Sequence, residues 1–260
     1  MTYAQRLQQR IERTGSALCV GIDPRIDQHE SVAALEEFCV RVIEETADCS
    51  AAFKPNLAYF ESLGAVGYRL AETLIGRMKE TGVPIILDAK RGDIGATQEQ
   101  YAKGYFERWD VDAVTLSPYM GYDSVEPFLQ YPGKGVYLLA VTSNAGAADL
   151  ELRELADGRR VFELVGDLAR RAPSSPSGEG SIGLVLGLTN ASNDILDRLP
   201  DVPLLIPGLG AQGGDLEVLR GANRTAPAVI NVSRGILYAD EHLTFSEKAK
   251  EYANRIAQVA

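Results

Sequence analysis

Eight short apolar runs, separated by longer amphipathic segments, recur from one end of this 260-residue chain to the other. They cover 17–23, 51–57, 84–90, 113–118, 136–142, 181–188, 203–209 and 228–234. Most are unbroken Val, Ile and Leu stretches rather than apolar–polar alternations, as expected of parallel strands covered on both faces. Between them lie helical patterns. In 60–81, Leu63, Val66, Leu70, Leu74 and Met78 recur at steps of three and four, forming one stripe along a helix. Segments 94–108, 150–171 and 245–259 read the same way with less regular stripes, and Ser31 and Asp215 stand at N-cap positions. Eight strand–helix units in a chain of this length predict an α/β fold, a single (β/α)8 TIM barrel over 1–260 with a parallel eight-stranded core. A doubly wound open sheet is the alternative, but it usually has fewer strands for its length. The Pro-, Ser- and Gly-rich stretch 171–183 reads as a spacer before the sixth strand, on the stability face of such a barrel.

Composition narrows the function. The formal net charge of -10 argues against broad binding to nucleic acid or to an anionic membrane, both of which need basic surface. Three cysteines and two histidines are too few for a disulfide framework or a histidine-rich metal centre, so no metal is expected. The charged stretch 1–14 lacks the apolar centre of a signal peptide, and no apolar run approaches a membrane span. A cytoplasmic protein with reduced thiols is the expectation.

The most informative stretch is 85–97, IILDAKRGDIGAT. Strand side chains alternate, which puts Asp88 and Lys90 on one face at the C-terminal end of the third run, where barrel enzymes carry catalytic groups. Asp93 follows in the loop, with Thr97 one helical turn later. Carboxylates flanking an ammonium keep it protonated. Asp23 ends the first strand and Lys54 lies in the second. Neighbouring strand ends would bring both to the same mouth.

The opposite side of the mouth looks built for phosphate. The seventh run leads into 207–215, PGLGAQGGD, and the eighth ends in 232–235, VSRG. Glycine-rich turns after the last two strands, here with Gly210 and Gly235, are where barrels offer backbone N–H groups to phosphate. Arg234 adds a guanidinium fork, and Gln212 sits on a glycine-flanked loop able to close over a ligand.

Taken together these residues resemble the orotidine 5′-phosphate decarboxylase family. The Asp-x-Lys-x-x-Asp signature with its following Ile and Thr is matched by Asp88, Lys90, Asp93, Ile94 and Thr97. Asp23, Lys54, the glycine-rich Gln212 loop and Arg234 match in order, over about 17–238, and the wording is similar to a longer bacterial branch. The resemblance implies a cofactor-free decarboxylation of a nucleotide in pyrimidine biosynthesis. It implies that Asp23 and Lys54 bond the ribose hydroxyls, that Asp88 lies against the substrate carboxylate, and that Lys90 protonates C6. It further implies a homodimer in which Asp93 and Thr97 cross into the partner's site, and a phosphate grip by Gln212 and Arg234. Ser143, with Thr142 and Asn144 adjacent as alternatives, aligns with a serine that bonds the pyrimidine. The nearest rival is a magnesium-dependent sugar-phosphate decarboxylase of the keto-gulonate-phosphate type from the same superfamily, which shares Asp-x-Lys-x-x-Asp. A non-catalytic phosphate-binding barrel is the reading from a different class.

Overall fold

The computed structural model describes residues 1–171, 180–190, 192–208, 216–219 and 224–258. All eight expected strands form: β1 (Leu18–Ile22), β2 (Ala52–Pro55), β3 (Ile86–Arg91), β4 (Ala113–Leu116), β5 (Gly135–Val141), β6 (Ser181–Leu186), β7 (Leu204–Pro207) and β8 (Ala228–Val232). Every pairing is parallel, in the order β2-β1-β8-β7-β6-β5-β4-β3. The two ends of that order meet through parallel bridges at Phe53–Ile85 and Asn56–Asp88, bringing the sheet round into a TIM barrel. The open-sheet alternative is therefore excluded.

Helices cover the outside of the sheet. Among the described residues these are α1 (Tyr3–Thr14), α2 (Val32–Thr46), α3 (Leu57–Glu61), α4 (Gly64–Glu80), α5 (Gly95–Ala102), α6 (Glu126–Leu129), α7 (Val161–Arg170), α8 (Asn193–Arg198), α9 (Arg234–Leu237) and α10 (Phe245–Ala257). None is long and apolar enough to cross a membrane. Ser31 caps α2 as expected, its side chain accepting the Ala34 N–H.

Three helical expectations need correction. The segment 60–81 divides at Gly64, whose φ of +62° starts α4 afresh, and Val66 is left on the exposed side. Segment 94–108 is α5 followed by a π-turn, Lys103–Arg108. Only the second half of 150–171 is helical, because Asp157 and Gly158 (φ +82°) form a turn, closed by a Glu154–Arg160 bridge. The N-terminal α1 carries a Thr2–Gln5 capping box and a left-handed Gly15 at its end. It packs under the barrel, where the Tyr3 and Tyr137 hydroxyls meet at 3.1 Å inside the lower cluster of Cys19, Ile86, Ala113, Val185, Leu205 and Val229. The Asp215 cap and the central part of the spacer, 172–179, lie outside the described residues.

The two periods of the chain explain these two cores. One parity of each strand points outward onto the helices and makes the larger apolar cluster. The other parity points into the barrel, apolar at the N-terminal end and polar toward the C-terminal end. That inner column leads through Cys19 and Gly21, Ala52 and Lys54, Ile86 and Asp88, and Ala113 and Thr115.

Candidate active site

Strand register decides which side chains meet at the mouth. Gly21 lies beside Lys54 across β1 and β2, and the Asn56–Asp88 bridge sets β2 against β3. A Cβ at Gly21 would sit 1.9 Å from the Ser233 hydroxyl and 2.9 Å from the Asn231 amide oxygen, so a larger residue there would displace both side chains. Lys54 Nζ donates to Asp88 Oδ2 at 2.5 Å, with both side chains over nine-tenths buried. Lys90 Nζ donates to the other oxygen, Oδ1, also at 2.5 Å, while its own side chain is half exposed. One carboxylate thus carries two ammonium groups, one sealed in the wall and one at the opening.

Burial alone would push the Asp88 carboxyl up. The Lys54 and Lys90 charges and their hydrogen bonds outweigh it and hold the group well below the usual carboxylate range. Burial likewise pulls Lys54 down, but the Asp88 and Asp23 charges and the Asp88 bond raise it above an ordinary lysine. Because the Asp88 pKa is depressed on folding, its contribution is present at neutral pH and lost as pH falls below the ordinary carboxylate range. Asp88→Asn should therefore flatten the acid limb of the stability curve by one proton, about 1.4 kcal/mol per pH unit below roughly pH 4. Urea unfolding between pH 2 and 5 measures this, and parallel slopes for both proteins would refute it.

Asp88 and Lys90 face one another as strand alternation predicts, but not through a regular strand. The β3–β4 register shifts between Leu87 and Arg91, and Lys90 has a left-handed backbone with φ of +46°. For a non-glycine residue this costs about 1–2 kcal/mol. Thr115 on β4, a residue not picked out from the sequence, is bonded to this turn and donates to Asp88 Oδ1 at 3.0 Å. Its signal was available: a hydroxyl within an apolar run, on the same parity as the inward Ala113.

Asp23 stands at the end of β1, where its charge acts on Lys54 without ion-pair contact. Its Oδ1 is buried and has no hydrogen-bond partner among the described residues. The Tyr238 hydroxyl, also not anticipated, holds this turn by donating to the Asp23 carbonyl (3.0 Å) and accepting the Arg25 N–H (2.9 Å). Asp93 is not brought to Lys90 within the chain. Its carboxylate accepts the N–H of Ile94 at 2.8 Å, and Thr97 is exposed on α5.

After β5 the three neighbouring candidates separate. Thr142 is committed to Glu151 through its N–H and hydroxyl, and the Asn144 backbone carbonyl accepts from Asn190. The same Thr142 hydroxyl lies 2.7 Å from the Asn144 side-chain oxygen, so its single proton is shared between that oxygen and Glu151. Ser143, packed against Gly187 at the end of β6, has no hydrogen-bond partner among the described residues. On the far side Arg234 is exposed at the start of α9, with no ion pair among the described residues. A Cβ at Gly235 would lie 2.1 Å from the Tyr252 hydroxyl, so a larger residue there would displace the Tyr252 ring. Gly210 and Gln212 lie outside the described residues.

Among the described residues no three His, Cys, Asp or Glu side chains converge as metal ligands would. A cavity of about 440 Å³ opens at the opposite face, lined by Arg6, Arg10, Lys79, Asp110 and Asp112. Its carboxylates are already paired with Arg6 and Lys79, which suits a stability face rather than a reaction site.

Comparison with known proteins places this geometry among relatives. The sequence model of the "Orotidine 5'-phosphate decarboxylase / HUMPS family" matches residues 16–249. The chain is similar to the orotidine 5′-phosphate decarboxylase of Cupriavidus metallidurans, 43% identical over 265 residues, covering 97% of this chain and 95% of that one. The Ralstonia nicotianae protein of the same name is 44% identical, with 97% and 96% covered. Among solved structures, Leishmania donovani OMP decarboxylase superposes with a TM-score of 0.85 at 38% identity, covering 100% of this chain and 99% of that one.

Proposed function

Because this chain belongs to the orotidine 5′-phosphate decarboxylase / HUMPS family, we propose that it converts orotidine 5′-monophosphate to uridine 5′-monophosphate and carbon dioxide in de novo pyrimidine biosynthesis. The observation that carries this reading is the half-exposed Lys90 ammonium, held on a buried Asp88 that Lys54 already neutralises. When the C6–carboxylate bond breaks, its electron pair stays on C6, where no carbonyl conjugation absorbs it. An ammonium in place beforehand stabilises that charge without reorganisation. Lys90 then gives its proton to C6 and is reprotonated from water. Transition-state stabilisation by Lys90 is the larger effect, and repulsion between Asp88 and the substrate carboxylate is secondary.

The remaining roles follow from position. Asp23, with its unpartnered buried oxygen, and Lys54 take the ribose hydroxyls. Ser143 takes the pyrimidine, an assignment supported by the engagement of its two neighbours elsewhere. Arg234 grips the 5′-phosphate together with Gln212 and the backbone around Gly210 and Gly235. Binding energy gathered at the phosphate, far from C6, orders the reacting end. Arg234→Ala should lower kcat/KM roughly 10- to 100-fold, as expected for one lost charge-assisted contact. Steady-state kinetics measure it, and an unchanged kcat/KM would remove Arg234 from the site.

Asp93 and Thr97 act across a homodimer, in the partner's site. The use of the Asp93 carboxylate on the Ile94 N–H rather than on Lys90 and the exposure of Thr97 support this, as do the exposed apolar Ile94, Tyr119 and Met120 on the adjoining β3 and β4 loops. Three free thiols fit a reducing cytoplasm. The deciding experiment follows the absorbance of orotidine 5′-monophosphate after enzyme is added in EDTA. Steady turnover supports the proposal. Activity that vanishes in EDTA and returns with magnesium would favour the sugar-phosphate type of chemistry.

A further inference from the structure

Thr115 is 1% exposed, in the interior of β4, and its one hydroxyl makes three hydrogen bonds. It accepts the N–H groups of Ala89 at 3.0 Å and Lys90 at 2.9 Å, and donates to Asp88 Oδ1 at 3.0 Å. A hydroxyl has one proton and two lone pairs, so its whole capacity is used.

These bonds fall where β3 leaves its ladder. Ile86 and Leu87 pair with Ala113 and Val114, and pairing resumes only at Arg91 with Leu116, so residues 88–90 lie opposite Thr115 alone. In a regular parallel strand successive N–H groups point to opposite neighbours, so only one of these two amides would face β4. Here a side-chain oxygen takes both in succession, which leaves the backbone free to turn left-handed at Lys90 and send its ammonium back onto Asp88. The far side of the turn is pinned separately. Arg91 Nε donates to the Tyr105 hydroxyl at 2.8 Å, its guanidinium pairs with Glu61, and its carbonyl accepts the Ser117 N–H at 2.7 Å. Lys90 is thus held between two anchors, and only the inner one touches the reacting cluster.

We infer that Thr115 is a positioning residue for the decarboxylation, fixing the Lys90 ammonium through the amides of Ala89 and Lys90 and through Asp88. This rests on the functional reading given above. Thr115→Val keeps the shape and removes the hydroxyl, whereas Thr115→Ser keeps the hydroxyl. The valine variant should lose roughly 10²-fold in kcat, as expected for a displacement of about 1 Å of a reacting group. Its KM and its affinity for uridine 5′-monophosphate should change little, because the phosphate end lies on β7 and β8. The serine variant should retain most of the wild-type kcat. General loosening of the barrel would instead weaken nucleotide binding together with turnover, and a serine variant as impaired as the valine one would overturn the proposal.

Hydrogen exchange on the intact wild-type protein gives a reading independent of how the variants fold. The Ala89 and Lys90 amides should be protected, since their acceptor is buried. Exchange as fast as that of exposed Gly95 in an active enzyme would overturn the role of Thr115 alone. An inactive wild-type enzyme would instead count against the decarboxylase reading, whatever the amides do.

Discussion

Replacing Lys90 by alanine is expected to lower kcat by about 10⁴-fold or more, because it removes both a proton donor (about 10²–10⁴) and a preorganised charge (about 10²–10³). The two effects act through one group, so they are not simply additive. The fold should survive, since the Lys90 side chain is half exposed and Asp88 keeps its buried partner Lys54. Binding of uridine 5′-monophosphate, followed by calorimetry, should persist, because the phosphate grip is at the other side of the mouth. Near-normal turnover in this variant would end the proposed mechanism, as would an affinity loss that accounts for the whole effect.

The second large effect is recovery of activity from two inactive proteins. Lys90→Ala and Asp93→Ala subunits, each inert alone, should regain turnover when mixed and allowed to exchange. In a two-fold dimer with shared sites, each heterodimer contains one site with both native residues and one with neither. Random exchange of equal amounts makes about half the dimers hetero, so about a quarter of all sites become native. Within one chain the Asp93 carboxylate bonds the adjacent Ile94 N–H rather than Lys90, which is why the two residues can be supplied by different subunits. No recovery, with heterodimers shown to form by native mass spectrometry, would place Asp93 in its own chain's site or outside the reaction.

The sequence was most legible where the physics is local and repeated. Continuous apolar runs exposed all eight strands, and their ends located Asp23, Lys54, Asp88 and Lys90 because a strand's side-chain period is two. Helices were read less well. A stripe at steps of three and four continues through Leu63 and Val66, yet Gly64 restarts the helix between them, and the Asp157–Gly158 turn removes the first half of 150–171. Turn chemistry outweighed periodicity in both places. The N-terminal α1 showed only as a charged stretch, because its apolar side is narrow and gains meaning from the barrel floor it covers.

The amino-acid order by itself determined the barrel and the kinds of groups at its mouth, since burial of both strand faces and alternation along each strand depend on near neighbours alone. Tertiary structure decided how those groups are aimed. The left-handed turn at Lys90 and the Thr115 hydroxyl that takes the freed amides both depend on which strand lies alongside and in what register. Such contacts join residues far apart in the chain and their geometry is set only when the sheet closes, so the local pattern offered an inward hydroxyl at Thr115 but not the bonds it makes.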